Sequence, residues 1–131
     1  MNAFLIISIF FFSIIDSPIK VTPESLVQQQ LEAYNKGDID AFLEPYSENI
    51  EVYNFPNQLR SKGIENMRPT YTAMFSKYPN LHCELVNRTI LNNTVIDHER
   101  ISGISDMDVF EAIAIYKIEN RKIAKVYFIM D

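Results

Sequence analysis

The chain has 131 residues, 12 Lys plus Arg against 17 Asp plus Glu for a formal charge of -5, and 47% apolar residues, a size that holds one domain and excludes two. A net negative chain without a long run of Lys or Arg lacks the electrostatic footprint of a nucleic-acid binder, and 7 Tyr with 9 Phe exclude a disordered one. The single cysteine, Cys83, excludes an intrachain disulfide, and no Cys/His cluster has zinc-ligand spacing, so no metal is expected.

From the amino terminus, Phe4 to Ile15 reads FLIISIFFFSII, an uncharged run followed by Asp16-Ser17-Pro18. It is shorter than the roughly 20 residues a stable membrane span needs and suits the apolar region of a secretory signal peptide. Residues 1–20 are therefore expected to be a signal-like segment and 21–131 the folded domain, with a secreted or periplasmic location. The alternative is a buried terminal helix or strand.

Thr22-Pro23-Glu24 starts a helix, with a capping hydroxyl, a proline where no N–H is required and an acid near the positive dipole end. Val27, Leu31 and Tyr34 make its apolar stripe, and Gly37 ends it near Asn35. Asp38 caps a second, short helix with Ile39, Phe42, Leu43 and Tyr46 on its apolar side. Glu48 to Phe55 alternates as a strand, with Ile50, Val52 and Asn54 on one face, and Pro56-Asn57 closes it. A third helix is expected over 64–78, where Ile64, Met67, Tyr71, Met74, Phe75 and Tyr78 track one stripe, with Pro69 expected to kink or restart it. Turn signals then divide four strands, roughly 81–91, 94–104, 109–119 and 122–130. Without a linker, helices and strands form one α+β unit.

This order resembles the nuclear transport factor 2-like superfamily. Leu31 to Phe42 (LEAYNKGDIDAF) is similar to the helical opening of its SnoaL-like and ketosteroid-isomerase-like members, Tyr46 to Val52 (YSENIEV) to their first strand, and Lys62-Gly63-Ile64-Glu65 to the start of their third helix. Pro79-Asn80-Leu81-His82, Asn92 to Gly103 and Ile123-Ala124-Lys125-Val126 extend the likeness over about 22–131. The resemblance implies a curved, mostly antiparallel sheet wrapping three N-terminal helices into a cone with an internal pocket. Laid on the ketosteroid isomerase pattern, Gln30 falls at the tyrosine position, Asn54 at the base and Phe110 at the later acid. An amide cannot take a proton from carbon and a phenyl ring cannot donate to an oxyanion, so that constellation is absent.

Chemistry concentrates in Val95-Ile96-Asp97-His98-Glu99-Arg100-Ile101, where Asp97 and Glu99 share one strand face. The resemblance implies that this face is concave. Two carboxylates about 6–7 Å apart along a strand in an apolar cavity would raise one another's pKa, leaving one as a general acid beside an ionised partner. On the opposite parity both would be solvated and paired across strands with Lys or Arg.

The catalytic candidates are thus Asp97 and Glu99, and the ligand-binding candidates are Asn54, Gln30, Tyr34, Tyr71, Phe110 and Phe128. Asp97, Glu99 and Asn54 are expected to line one cavity of at least about 300 Å³. With no phosphate loop or dinucleotide fingerprint, no cofactor is expected. The expected activity is a cofactor-independent isomerase, cyclase or dehydratase acting on a small apolar carbonyl compound. The alternative is a non-catalytic binding or dimerisation module, favoured by an apolar outer stripe (Ile113, Ile115, Tyr127, Ile129) suited to a homodimer.

Overall fold

The computed structural model describes residues 13–130, so most of the signal-like run lies outside the described residues. Residues 13–22 carry neither helix nor strand, and Ile14, Ile15 and Ile19 are exposed. No helix among the described residues is long and apolar enough to cross a membrane.

The first helix, α1 (Pro23–Lys36), opens with reciprocal capping: Thr22 Oγ1 accepts from the Ser25 N–H at 3.0 Å and Ser25 Oγ from the Thr22 N–H at 2.8 Å. Serine replaces the usual acid or amide partner of this box. Gly37 ends α1 at φ 66, donating its N–H to the carbonyls of Ala33 and Tyr34. Asp38 accepts from the Ala41 N–H and starts α2 (Ile39–Leu43).

Strand β1 (Tyr46–Asn54) turns into β2 (Gln58–Lys62), a strand the sequence pattern had not marked, because QLRSK offers one apolar residue and hence no period. Helix α3 (Ile64–Lys77) runs through Pro69 without restarting. Pro69 lies on an exposed part of the helix, where water can take the carbonyl its missing N–H leaves free.

Strands β3 (His82–Leu91), β4 (Thr94–Ser102), β5 (Phe110–Glu119) and β6 (Lys122–Met130) follow as a meander. The six strands form one sheet in the order β2-β1-β6-β5-β4-β3, antiparallel throughout except where β1 joins β6. The architecture is α+β, a mostly antiparallel sheet wrapped around three helices into a cone.

One face of this sheet is buried under the helices. Val95, Asp97, Glu99 and Ile101 of β4 and Ala112, Ala114, Tyr116 and Ile118 of β5 all point inward. Phe42 from α2 centres the aromatic part of the core, its ring 4.6 Å from that of Tyr71, 5.3 Å from Tyr46 and 5.6 Å from Phe75. The Asn35 side chain ties the edge strand β3 to α1: Nδ2 donates to the Cys83 carbonyl at 2.9 Å and Oδ1 accepts from the Cys83 N–H at 2.7 Å. Beyond β4, Gly103 passes so close to Asn80 that a Cβ would lie 1.9 Å from its carbonyl oxygen, a space only glycine leaves.

Two irregularities bear on the site. In β3, pairing runs Leu85 with Glu99 and then Asn87 with His98, so Val86 is an extra residue; it faces outward, 41% exposed. In β2, pairing runs Ser61 with Val52 and then Leu59 with Tyr53, which leaves Arg60 as the extra residue. Such bulges change which side chain faces which partner.

Candidate functional site

Between the helices and the inner sheet face lies a cavity of about 230 Å³, smaller than the expected 300 Å³. Of the eight candidates, Glu99, Gln30, Tyr34, Tyr71, Phe110 and Phe128 line it, joined by Tyr46, Tyr116, Cys83, Met74 and Arg60. Asp97 and Asn54 do not. Among the described residues lining the cavity, Glu99 is the sole carboxylate and Arg60 the sole cation.

The expected acid pair therefore needs correction. Asp97 does point inward and is fully buried, but its carboxylate is held by both arms of Arg88, Nε to Oδ1 at 2.7 Å and Nη2 to Oδ2 at 2.8 Å, while Arg88 Nη1 donates to Gln28 Oε1 at 2.9 Å. The bulge at Val86 makes this possible. Without the extra residue, continuing the Leu85–Glu99 register would set Asn87 opposite Asp97; with it, Arg88 takes that place on the inner face. A bidentate guanidinium satisfies the carboxylate and removes it from proton transfer. Asn54 is also corrected: it sits at the hairpin end of β1, where its Nδ2 donates to Gln58 Oε1 at 2.9 Å across the Asn54–Gln58 pair.

Glu99 is the group left in the cavity without a counter-ion. Burial foremost, and the Asp97 charge after it, push its carboxyl up to about 7, against weaker pulls from Tyr116, Cys83 and Arg88. The carboxyl is oriented by a buried chain of hydrogen bonds. Tyr46 donates to Gln30 Oε1 at 3.0 Å, Gln30 Nε2 donates to the Tyr116 hydroxyl at 3.1 Å, and Tyr116 donates to Glu99 Oε1 at 3.1 Å. Burial holds the Tyr46 and Tyr116 phenols well above their ordinary pKa, so both remain donors.

Tyr116 thus fixes Oε1, and the Cys83 thiol is a second, weaker donor to the same carboxyl. A carboxyl that borders the cavity, held only by neutral donors and poised near neutrality, is able to act as a general acid or base. Gln30, the residue replacing the isomerase tyrosine, is here the middle link that fixes Oε1.

The remaining polar groups sort by what they already bind. Tyr34 donates to Met74 Sδ at 3.9 Å, a weak contact. The Tyr71 hydroxyl makes no hydrogen bond among the described residues and is raised in pKa chiefly by burial, with Arg60 and Glu99 acting on it in opposite directions. Cys83 is pushed up by burial and by Glu99, which keeps it a thiol. No group of three or more potential metal ligands occurs among the described residues.

Sequence reasoning missed Arg60 because its strand carried no periodicity. The Pro56-Asn57 turn after a strand was the available signal for a hairpin return. It missed Tyr116 because a tyrosine flanked by Ile115 and Lys117 reads as ordinary strand. The alternation through Ala112, Ala114 and Tyr116 was the clue.

A mostly antiparallel sheet curved over three helices, with a polar-tipped cavity at its concave face, defines a nuclear transport factor 2-like protein. Residues 27–126 match the SnoaL-like domain model, and the chain belongs to that family.

Solved structures share the fold. A cystatin-fold protein from Novosphingobium aromaticivorans superposes with a TM-score of 0.78 at 22% identity, over 84% of this chain and 99% of that one. A candidate SnoaL-like polyketide cyclase from Jannaschia sp. CCS1 gives 0.71 at 17%, over 88% and 89%. An LEH-like epoxide hydrolase from M. tuberculosis gives 0.72 at 12%, over 83% and 82%. No curated protein matches the chain at a significant level.

Proposed function

We propose that the cavity binds a small, largely apolar carbonyl compound and that Glu99 moves a proton to or from its carbon skeleton. The observation that carries this reading is a buried carboxyl that borders the cavity without a counter-ion, held by the neutral donor Tyr116 and with a pKa near neutrality. In the base direction, Glu99 Oε2 takes the proton from a carbon next to the carbonyl, and the C–H electron pair moves into the enolate. The Tyr71 hydroxyl is free to donate to the enolate oxygen, and returning the proton to the same or another carbon completes exchange or isomerisation. Neighbours described as a polyketide cyclase candidate and an epoxide hydrolase are in keeping with acid–base work on small molecules in this fold. The test is hydrogen–deuterium exchange in D2O on a panel of small neutral ketones, such as phenylacetone and cyclohexanone, followed by proton NMR. The protein accelerates exchange on at least one of them and Glu99→Gln does not; an undiminished rate in Glu99→Gln refutes the assignment.

The outer sheet face supports a further part of the proposal, pairing of two copies. Ile96, Ile115, Tyr127 and Tyr53 stand in register across four strands, with the Tyr53 and Tyr127 rings stacked at 4.9 Å. Beside this apolar row, Arg100 bridges Glu84 and Glu111 and His98 meets Glu111, a mixed-sign border that two-fold pairing tolerates. Light scattering should report a dimer that Ile115→Glu converts to monomer. Export is proposed on the apolar run at 4–15, and the intact mass of protein recovered from the culture medium or periplasm checks it by the loss of about 20 residues.

A further inference from the structure

The reading above leaves the identity of the carbonyl compound open, and Arg60 narrows it. This residue is the bulged position of β2, unpaired between Ser61 and Leu59 in the β1 register. A bulge bends the strand locally and re-aims a side chain, and here the re-aimed chain lines the cavity with its guanidinium 5.7 Å from the centroid of the Phe128 ring. Among the described residues it makes no ion pair and no side-chain hydrogen bond, and the same holds for Arg121, which lies away from the cavity on the β5–β6 turn, whereas Arg68 pairs with Asp40, Arg88 with Asp97, and Arg100 with Glu84 and Glu111. An exposed guanidinium at the edge of a cavity is available to an anion, with which it forms charge-assisted hydrogen bonds.

Glu99 and Arg60 also occupy different parts of the cavity. Glu99 is deep, 6% exposed and within reach of Asp97 and Arg88, while Arg60 is exposed and lies against Phe128 and, through space, Tyr71. Tyr71 lines the same cavity and lies within electrostatic reach of both.

Resting on the proposed function, we infer that the compound carries a carboxylate remote from its reacting carbon, bound by Arg60 at the cavity mouth, with the apolar body against Phe128 and the carbonyl beside Tyr71 and Glu99. A carboxylate fits better than a phosphate, because a single guanidinium matches one monoanionic fork and no second cation lines the cavity to meet a dianion. The substrate class is therefore a small oxo acid, with the ketone and the acid separated by a short apolar chain.

The test compares binding of 3-benzoylpropionate and its neutral isostere 3-benzoylpropionamide by titration calorimetry. The protein should bind the acid at least about tenfold more tightly than the amide, and the margin should shrink as salt is added. Arg60→Met, which keeps an apolar chain over Phe128, should abolish the preference by weakening the acid at least about tenfold more than the amide. Equal affinity for acid and amide, an equal loss of both in Arg60→Met, or no saturation by either probe at millimolar concentration would overturn the inference. The titration is repeated in Glu99→Gln. A preference that survives there while exchange by the native protein fails separates a wrong catalytic assignment from a wrong anion site.

Discussion

Asp97 and Glu99 are two residues apart on one strand, share one face and are both buried, yet their surroundings are opposite. Asp97 is closed off by two charge-assisted hydrogen bonds from Arg88. Glu99 has only neutral donors, feels the Asp97 charge and borders the cavity. The difference shows how a single extra residue on a neighbouring strand gives one acid of a pair a bidentate guanidinium and leaves the other at the cavity without a counter-ion. It also shows why the pair must be understood together: the charge that Arg88 stabilises on Asp97 is one of the causes that raise Glu99.

The sharpest way to break this contrast is to neutralise each acid in turn. Glu99→Gln should lower the exchange rate by about 10²- to 10⁴-fold while leaving circular dichroism unchanged. Asp97→Asn should act on the fold instead, lowering stability by about 3 kcal/mol or more, because it leaves the Arg88 guanidinium buried without its full partner. Urea unfolding measures this, and the double variant Asp97→Leu with Arg88→Met should recover most of the loss. If Asp97→Asn proved as stable as the native protein and lost only activity, the division of roles would be wrong.

A weaker but diagnostic effect comes from pH. Glu99 has an ordinary value of 4.5 and is raised to about 7 in the folded state, so between those limits the native protein holds a proton the unfolded chain has released. Its contribution to stability is full below about pH 4.5, declines as pH rises through about 7 and is absent above. The amplitude is on the order of 3 kcal/mol. Glu99→Gln should flatten this slope and be the more stable protein at pH 8. The exchange rate, which needs the deprotonated form as base, should rise over the same interval and level off above it.

Smallest of all is the expected effect of Tyr116→Phe. Removing the Tyr116 donor takes away an influence that lowers the Glu99 pKa, so the rate profile should move to higher pH. The buried Gln30 amide then lacks its acceptor, at a stability cost of about 1–3 kcal/mol. A profile that stays in place would mean that the chain through Gln30 orients nothing.

Much of the scaffold was legible from local pattern. Thr22-Pro23 and Gly37 bracket α1 because caps depend on residues within one turn, and the two-residue period of a strand sets Val95, Asp97, Glu99 and Ile101 on one face; that this face is the inner one was implied by the family resemblance and not by the period. Pro69 misled in part: its effect depends on whether the freed carbonyl meets water, which exposure decides. β2 was missed because a short polar strand has no hydrophobic signal; it exists by pairing with β1. Asn54 was misjudged because parity names a face and not a depth along the strand, and its amide is taken up at the hairpin end.

The sequence by itself determined the three helices, five of the six strands and the α+β class, since these depend on neighbours a few positions apart. Tertiary structure alone decided which acid stays unpaired and which cation enters the cavity. Both outcomes turn on one-residue bulges, at Val86 and at Arg60, that set the register between strands, and register is a relation between distant segments. Charge compensation follows from that relation, because a buried carboxylate is controlled by whichever group the facing strand presents to it.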